Sequence, residues 1–197
     1  MFNKQQQNCN HMKTLDSKKN FSIKDKSFCE NQTIRFVIYN KDFLIPDLYS
    51  SFKGKEFFVN SSKNELKKFS ENFNNEYKKS FNKNNIVEII ENILVKHVVG
   101  IISLARKAKK VIVGIDEIRF HLKKNKIYFL LQANNFSFKR DEKLSLPIYQ
   151  KIKINCFTKE ELGIAFGKKN IANIGFLKSS FINSIISDSY RLQNLRN

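Results

Sequence analysis

The chain has 197 residues, 41% of them hydrophobic, and 36 Lys and Arg stand against 18 Asp and Glu, a formal net charge of +18. That length supports one or two domains with real cores, and the apolar fraction excludes a chain disordered throughout. The charge points to an anionic partner bound with salt-sensitive affinity.

Both halves are basic, residues 1–85 by +7 and residues 86–197 by +11. Cys9, Cys29 and Cys156 are too few and too widely spaced for a disulfide framework or a Cys-x-x-Cys metal knuckle, which fits a reducing cytoplasm. His11 near Cys9 lacks further ligands, so no metal is expected. The N-terminus has no apolar run of signal-peptide length, and the longest apolar stretch, Ile86 to Leu104, is broken by Glu88, Glu91, Asn92, Lys96 and His97. The expectation is a soluble, cytoplasmic protein with no membrane partner.

Residues 1–20 are polar and aperiodic and read as a disordered basic tail. Ile34 to Asn40 alternates as a strand. A turn at Asn40, Lys41 and Asp42 returns it into a run that ends at Pro46. Lys53, Gly54 and Lys55 lead into the short strand EFFVN, and Ser61 or Ser62 with Glu65 caps a helix over Asn64 to Phe69. Phe73, Tyr77 and Phe81 repeat every four residues, the pattern of a packed helix face. Asn82 to Asn85 is a polar break and the expected boundary between a first unit, 21–85, and a second, 86–197.

In the second unit, Ile86, Ile89, Ile90, Ile93, Leu94, Val98, Ile101 and Ile102 follow helical spacing, predicting a helix over Ile86 to Lys110. Val111 to Val113 reads as a strand, Asp116 to Lys123 as a helix and Ile127 to Ala133 as a central buried strand. A helix over Lys139 to Leu146 stops before Pro147, and Lys151 to Phe157 alternates as a strand. Thr158 and Glu161 then form a capping box for a thin helix with Gly163, Ala165 and Gly167. Ile171 to Ile174 reads as a last strand and Phe176 to Leu195 as a closing helix. The fold class expected is α/β: a small two-layer α+β unit followed by a three-layer α/β/α sandwich.

The most informative stretch is VVGIISLARKAKKVIVGIDEIRF, residues 98 to 120. Gly114 is free to take a positive φ and let another backbone approach. Asp116 and Glu117 follow at the positive end of a helix dipole. Arg106, Lys107, Lys109, Lys110 and Arg119 are expected around that turn, cations for phosphate beside carboxylates for base edges. Together with IYFLLQANN (Ile127 to Asn135) and TKEELGIAFG (Thr158 to Gly167), this stretch resembles the kink-turn RNA-binding ribosomal protein superfamily of the L-seven-Ae and L-thirty-e type. The resemblance implies that Gly114 approaches a sharply bent RNA and that Glu117 accepts hydrogen bonds from a guanine edge. It also implies that the loop at Cys156, Phe157 and Thr158 covers an extruded base, with Phe157 stacking on it. Asp116 stands where Asn is common and Phe120 where Lys is common, which points toward a different bent or looped RNA.

Four pieces of the first unit resemble the YlxR domain, a small bacterial RNA-binding family: FSIKDKSFCENQTIRFV, IPDL, FKGKEFFVNSS and YKKSF. That resemblance implies a basic cleft at Arg35, Lys53, Gly54, Lys55, Lys78 and Lys79, in which Glu56 repels phosphate. His97 and Ser103 have no nucleophile, base and orienter set around them, and no Gly-rich cofactor loop is present, so neither an enzyme nor a cofactor is expected. The function expected is a non-enzymatic protein that recognises structured RNA, ribosomal or similar, near ribosome assembly, translation or transcription elongation. DNA is the alternative polymer, as a nucleoid-associated or transcription regulatory protein, because phosphate contacts alone carry no sequence information. An RNA-grasping part of a modifying enzyme and a ribosome-associated scaffold are the remaining readings.

Overall fold

The computed structural model describes residues 32–39, 43–77, 85–135 and 152–197. Strand β1 (Thr33–Tyr39) pairs antiparallel with β2 (Phe43–Pro46) and with β3 (Lys55–Asn60), giving the order β2-β1-β3. Ile34 and Phe36 of β1 and Phe57 and Val59 of β3 are buried on one face, the period of two that a half-covered sheet requires. Val37 points the other way and is still fully buried. The segment before β3 crosses it so closely that a Cβ on Gly54 would lie 2.7 Å from Val37 Cγ1 and 2.4 Å from the Ile38 carbonyl oxygen. Gly54, expected beside a ligand, uses its missing Cβ against its own sheet.

Helix α1 (Lys63–Tyr77) is longer than the expected Asn64 to Phe69 and absorbs part of the aromatic stripe. Phe69 and Phe73 are buried against Phe57, with ring centroids 5.8 Å and 6.0 Å from it. Lys78, Lys79 and Phe81 lie outside the described residues, as do the turn at Asn40 to Asp42 and the helix expected over Lys139 to Leu146.

Helix α2 (Ile86–Lys107) buries Ile86, Ile90, Leu94, Val98, Val99, Ile102 and Ala105, much of the expected stripe, while Ile89 is 40% exposed. It stops three residues short of Lys110. Lys109 turns left-handed at φ 55°, and the amides of Lys110 and Lys109 bond back to the carbonyls of Ala105 and Arg106, closing the helix as a Schellman motif. Strand β4 (Val111–Val113), helix α3 (Ile115–Lys123), β5 (Ile127–Ala133), β6 (Ile152–Phe157), the short helix α4 (Lys159–Ile164), β7 (Asn173–Leu177) and helix α5 (Phe181–Arg196) complete the chain. The second sheet runs β4-β7-β5-β6; β5 and β6 are parallel, and β7 is antiparallel to both its neighbours.

An α/β fold is what the chain adopts. The end of the second sheet differs from expectation: Phe176 and Leu177, read as the start of a helix, are the last residues of β7. Phe176 is fully buried, pairs with Val111 and stacks on Phe129 at 5.2 Å, and that burial outweighs the helix-like spacing of the residues after it.

Two cores result. Helix α3 covers one side of the second sheet with Ile118 and Leu122 against Ile127 and Leu130. The larger core is continuous from Ile34, Phe36 and Phe57 through the α2 and α5 stripes to Phe129, Leu131, Ile174 and Phe176. Polar contacts also join the two halves: Tyr49 donates to Asp188 at 3.2 Å and Asn194 to Ser61 at 3.2 Å. Among the described residues no helix is long and apolar enough to cross a membrane.

Candidate nucleic-acid interface

The turn that the sequence singled out lies where β4 ends. Gly114 takes φ 99°, a conformation that disfavours a side chain, and a Cβ there would meet nothing within 4 Å. It is therefore an open backbone turn rather than a packing glycine, in contrast to Gly54. Helix α3 follows at once, with Ile118 tied by its amide to the Gly114 carbonyl at 2.9 Å. Because Ile118 and Leu122 face the sheet, Asp116 and Glu117 of the first turn face solvent. The Asp116 side chain is 87% exposed and takes Arg119 at 3.3 Å. Phe120 is 50% exposed, and the Lys124 ammonium one turn later sits 3.8 Å from its ring centroid, which places a cation on that exposed face.

The neighbouring strands bring other polar groups to the same end. Val113 pairs with Ile174, which sets Gly114 opposite Asn173, and Asn173 pairs with Gln132. The Gln132 and Asn173 carboxamides are bonded at 3.1 Å and are 4% and 6% exposed, a buried polar pair at this end of the sheet. Two residues beyond Gln132, just past the end of β5, the Asn134 amide bonds the Phe157 carbonyl, and the Lys159 amide bonds Asn135 Oδ1 at 3.3 Å. The β4, β5 and β6 exits thus open on one surface. The sequence reading missed Gln132, Asn134, Asn135 and Asn173, although the change from an apolar run to Gln-Ala-Asn-Asn marks the place.

Thr158 caps α4 as expected. Its hydroxyl accepts from the Glu161 amide at 3.2 Å while the Glu161 carboxylate accepts from the Thr158 amide at 2.9 Å. Phe157, expected to stack on an extruded base, is instead fully buried in the large core. Turning it outward would forfeit about 2 kcal/mol or more of burial. Cys156 beside it is buried too, and burial, ahead of every other influence, pushes its thiol up to about 12.

Arg35 is also corrected. Its guanidinium, nearly buried, grips the carboxylate of Asp47, the Glu56 carboxylate at 2.7 Å and the Phe52 carbonyl at 3.0 Å. Asp47 in turn accepts the amides of Ser51 and Phe52, so burial, which pushes its carboxyl upward, is outweighed by these bonds and by Arg35, and the net shift is downward. Glu56, read as repelling phosphate, is an ion-pair partner, and Arg35 fastens the 47–52 segment to β1. Lys53 and Lys55 remain exposed on that segment's exit.

The basic cluster is displaced as well. Lys107, Lys109 and Lys110 are exposed at the start of β4, and Gly114 is at its end, so roughly 13 Å of strand separates Lys110 from the glycine. Arg106 turns toward α4, with its guanidinium 3.4 Å from the Ala165 carbonyl and over the Phe166 ring at 5.4 Å. Of the expected cations, only Arg119 belongs to the Gly114 turn.

No family model and no curated protein matches this chain significantly. A solved structure described as a protein with unknown function from Bacillus halodurans C is similar to it, at 17% identity and a TM-score of 0.43, over 47% of this chain and 95% of that one.

Proposed function

We propose that this chain binds a structured RNA without catalysis, and that the Gly114 end of the second sheet reads the base edges of a bent or looped segment. The observation that carries the reading is the open turn itself: a positive-φ glycine with empty space over it, followed by Asp116 and Glu117 pointing into solvent on a chain of net charge +18. A phosphate-coating surface gains nothing from exposed carboxylates, whereas guanine and cytosine edges offer amino and imino donors that a carboxylate accepts. Glu117 is the group assigned to that contact. The resemblance to the kink-turn superfamily agrees with this reading, and a YlxR-like contribution from Lys53 and Lys55 would add phosphate contacts. The setting proposed is the cytoplasm, close to ribosome assembly, translation or transcription elongation.

The test is a titration of a bent RNA, an equal-length RNA duplex and an equal-length DNA duplex at two salt concentrations, with wild type and Glu117→Ala. We expect the bent RNA to bind tightest, the preference to survive higher salt, and Glu117→Ala to reduce it by about tenfold, the worth of one good base contact. Equal binding of all three ligands, collapsing together with salt and indifferent to the substitution, would favour the DNA reading and end this one.

A further inference from the structure

The end of the second sheet remote from Gly114 carries a second feature. Helix α2 and helix α3 stop in the same way. Asn125 turns left-handed at φ 53°, as Lys109 does at 55°, and the amides of Lys126 and Asn125 bond back to His121 and Leu122 just as those of Lys110 and Lys109 bond back to Ala105 and Arg106. Each Schellman turn therefore releases a lysine, Lys110 or Lys126, at the start of a strand. The sheet register then aligns the two exits. Val111 pairs with Phe176 and Ile127 with Leu177, and the Leu177 amide bonds the Lys110 carbonyl at 3.0 Å. Continued past the pairs, that register sets Lys109 and Lys126 on either side of Lys178.

Three lysines thus cross three adjacent strands in a row about 10 Å long. Lys107, Lys110 and Lys123 flank it, and all six are exposed. Among the described residues, the segments that build this end, 105–110, 122–128 and 177–180, contain no Asp or Glu. The attraction of a helix C-terminus for cations accounts for Lys107 and Lys123, but Lys126 and Lys178 lie beyond any helix end. Bringing so many ammonium groups together costs mutual repulsion, and a polyanion removes it.

We propose that this lysine end is a second, sequence-independent contact that holds the phosphate backbone of an RNA helix. It rests on the RNA reading for the identity of the polymer, not for the surface itself. Five residues of β7 put it roughly 17 Å from the Gly114 end, so a stem leaving the bent segment reaches both. Base reading and phosphate holding are then divided between opposite ends of one sheet.

The experiment uses the full chain with Lys109, Lys126 and Lys178 all replaced by Gln. A control of equal charge change carries Lys63, Lys67 and Lys68 replaced by Gln on the exposed side of α1. Binding of a plain RNA duplex and of the bent RNA is measured across a salt series, and vesicles of anionic phospholipid are a third ligand. Circular dichroism confirms that each variant is folded. The lysine-end triple is expected to weaken both RNAs by at least tenfold and to lower the slope of log K against log salt by about 2 to 3. The α1 triple should change neither by more than twofold. An unaltered slope, an equal loss in the α1 triple, or tighter binding of vesicles than of duplex RNA overturns the proposal. If the lysine-end triple acts as expected while Glu117→Ala has no effect, the lysine end stands and the base-reading turn falls.

Discussion

Asp188→Ala is expected to lower stability by about 3–5 kcal/mol, a fall in Tm of roughly 10 °C for a chain of this size. Asp188 is 2% exposed on α5, yet it is fully partnered: Tyr49 donates at 3.2 Å, His97 Nδ1 lies at 2.7 Å and Arg191 at 2.8 Å. These partners come from the segment after β2, from α2 and from α5 itself, so one carboxylate ties the first sheet to the helices under it. Tyr49 also lays its ring 4.1 Å from the His97 ring. Burial first, then the charge and hydrogen bond of Asp188, holds the Tyr49 hydroxyl above the usual phenol range. Removing the carboxylate takes a buried acceptor from the Arg191 guanidinium, the Tyr49 hydroxyl and the His97 ring at once. Tyr49→Phe removes one bond alone and should cost about 1 kcal/mol. Denaturant unfolding of the two variants checks the account, and an Asp188→Ala loss within 1 kcal/mol would show that the cluster does not join the halves. His97, read from sequence as structural, owes its place to this carboxylate.

The second large effect concerns Arg196. Its guanidinium donates to the Cys156 carbonyl at 2.6 Å and to both oxygens of Glu161 at 2.9 Å and 2.7 Å, and Glu91 lies 3.5 Å away. The last turn of α5 is thereby fixed to the end of β6, to the α4 cap and to α2. Arg196→Ala should cost about 2–3 kcal/mol at neutral pH, the worth of charged hydrogen bonds left unmade. Glu161 supplies the sign of the pH dependence. Burial raises its carboxyl, but the bonds from Arg196 and the Thr158 amide more than offset that, and its folded value falls below the ordinary 4.5. A lowered folded value means stability that is complete above pH 4.5 and is lost as pH falls through the folded value. The gap between wild type and Arg196→Ala should therefore narrow on acidification below that point. A gap that stayed constant from pH 7 to pH 3 would assign the loss to packing instead.

Much of this architecture is legible in the residues. The α2 stripe, the apolar run of β5, the Thr158 and Glu161 capping box and the Gly114 turn all follow from local patterns whose physical cause is local. What fails is what depends on neighbours distant in sequence. The run from Ile171 to Leu177 is short and apolar, which does not separate strand from helix, and the pairing of Phe176 with Val111 decides it. Strand alternation identifies Phe157 as one-sided without saying which side is dry. Arg35 looks like a free cation until Asp47 and Glu56 come beside it. Lys110 and Gly114 are close in sequence, but a three-residue strand sends them to opposite ends of a sheet. Conversely Lys109, Lys126 and Lys178 are far apart in sequence, and only the register unites them.

The most direct measurement of the central claim is a series of amide proton and nitrogen spectra of the labelled chain during titration with bent RNA at raised salt, where phosphate contacts are weakened. The account predicts that the largest shifts fall on Gly114 to Glu117, Asn134, Asn135 and Asn173, with smaller changes at Lys109, Lys126 and Lys178. Shifts confined to the lysine end, with Gly114 to Glu117 unmoved at saturation, would contradict base reading by this turn.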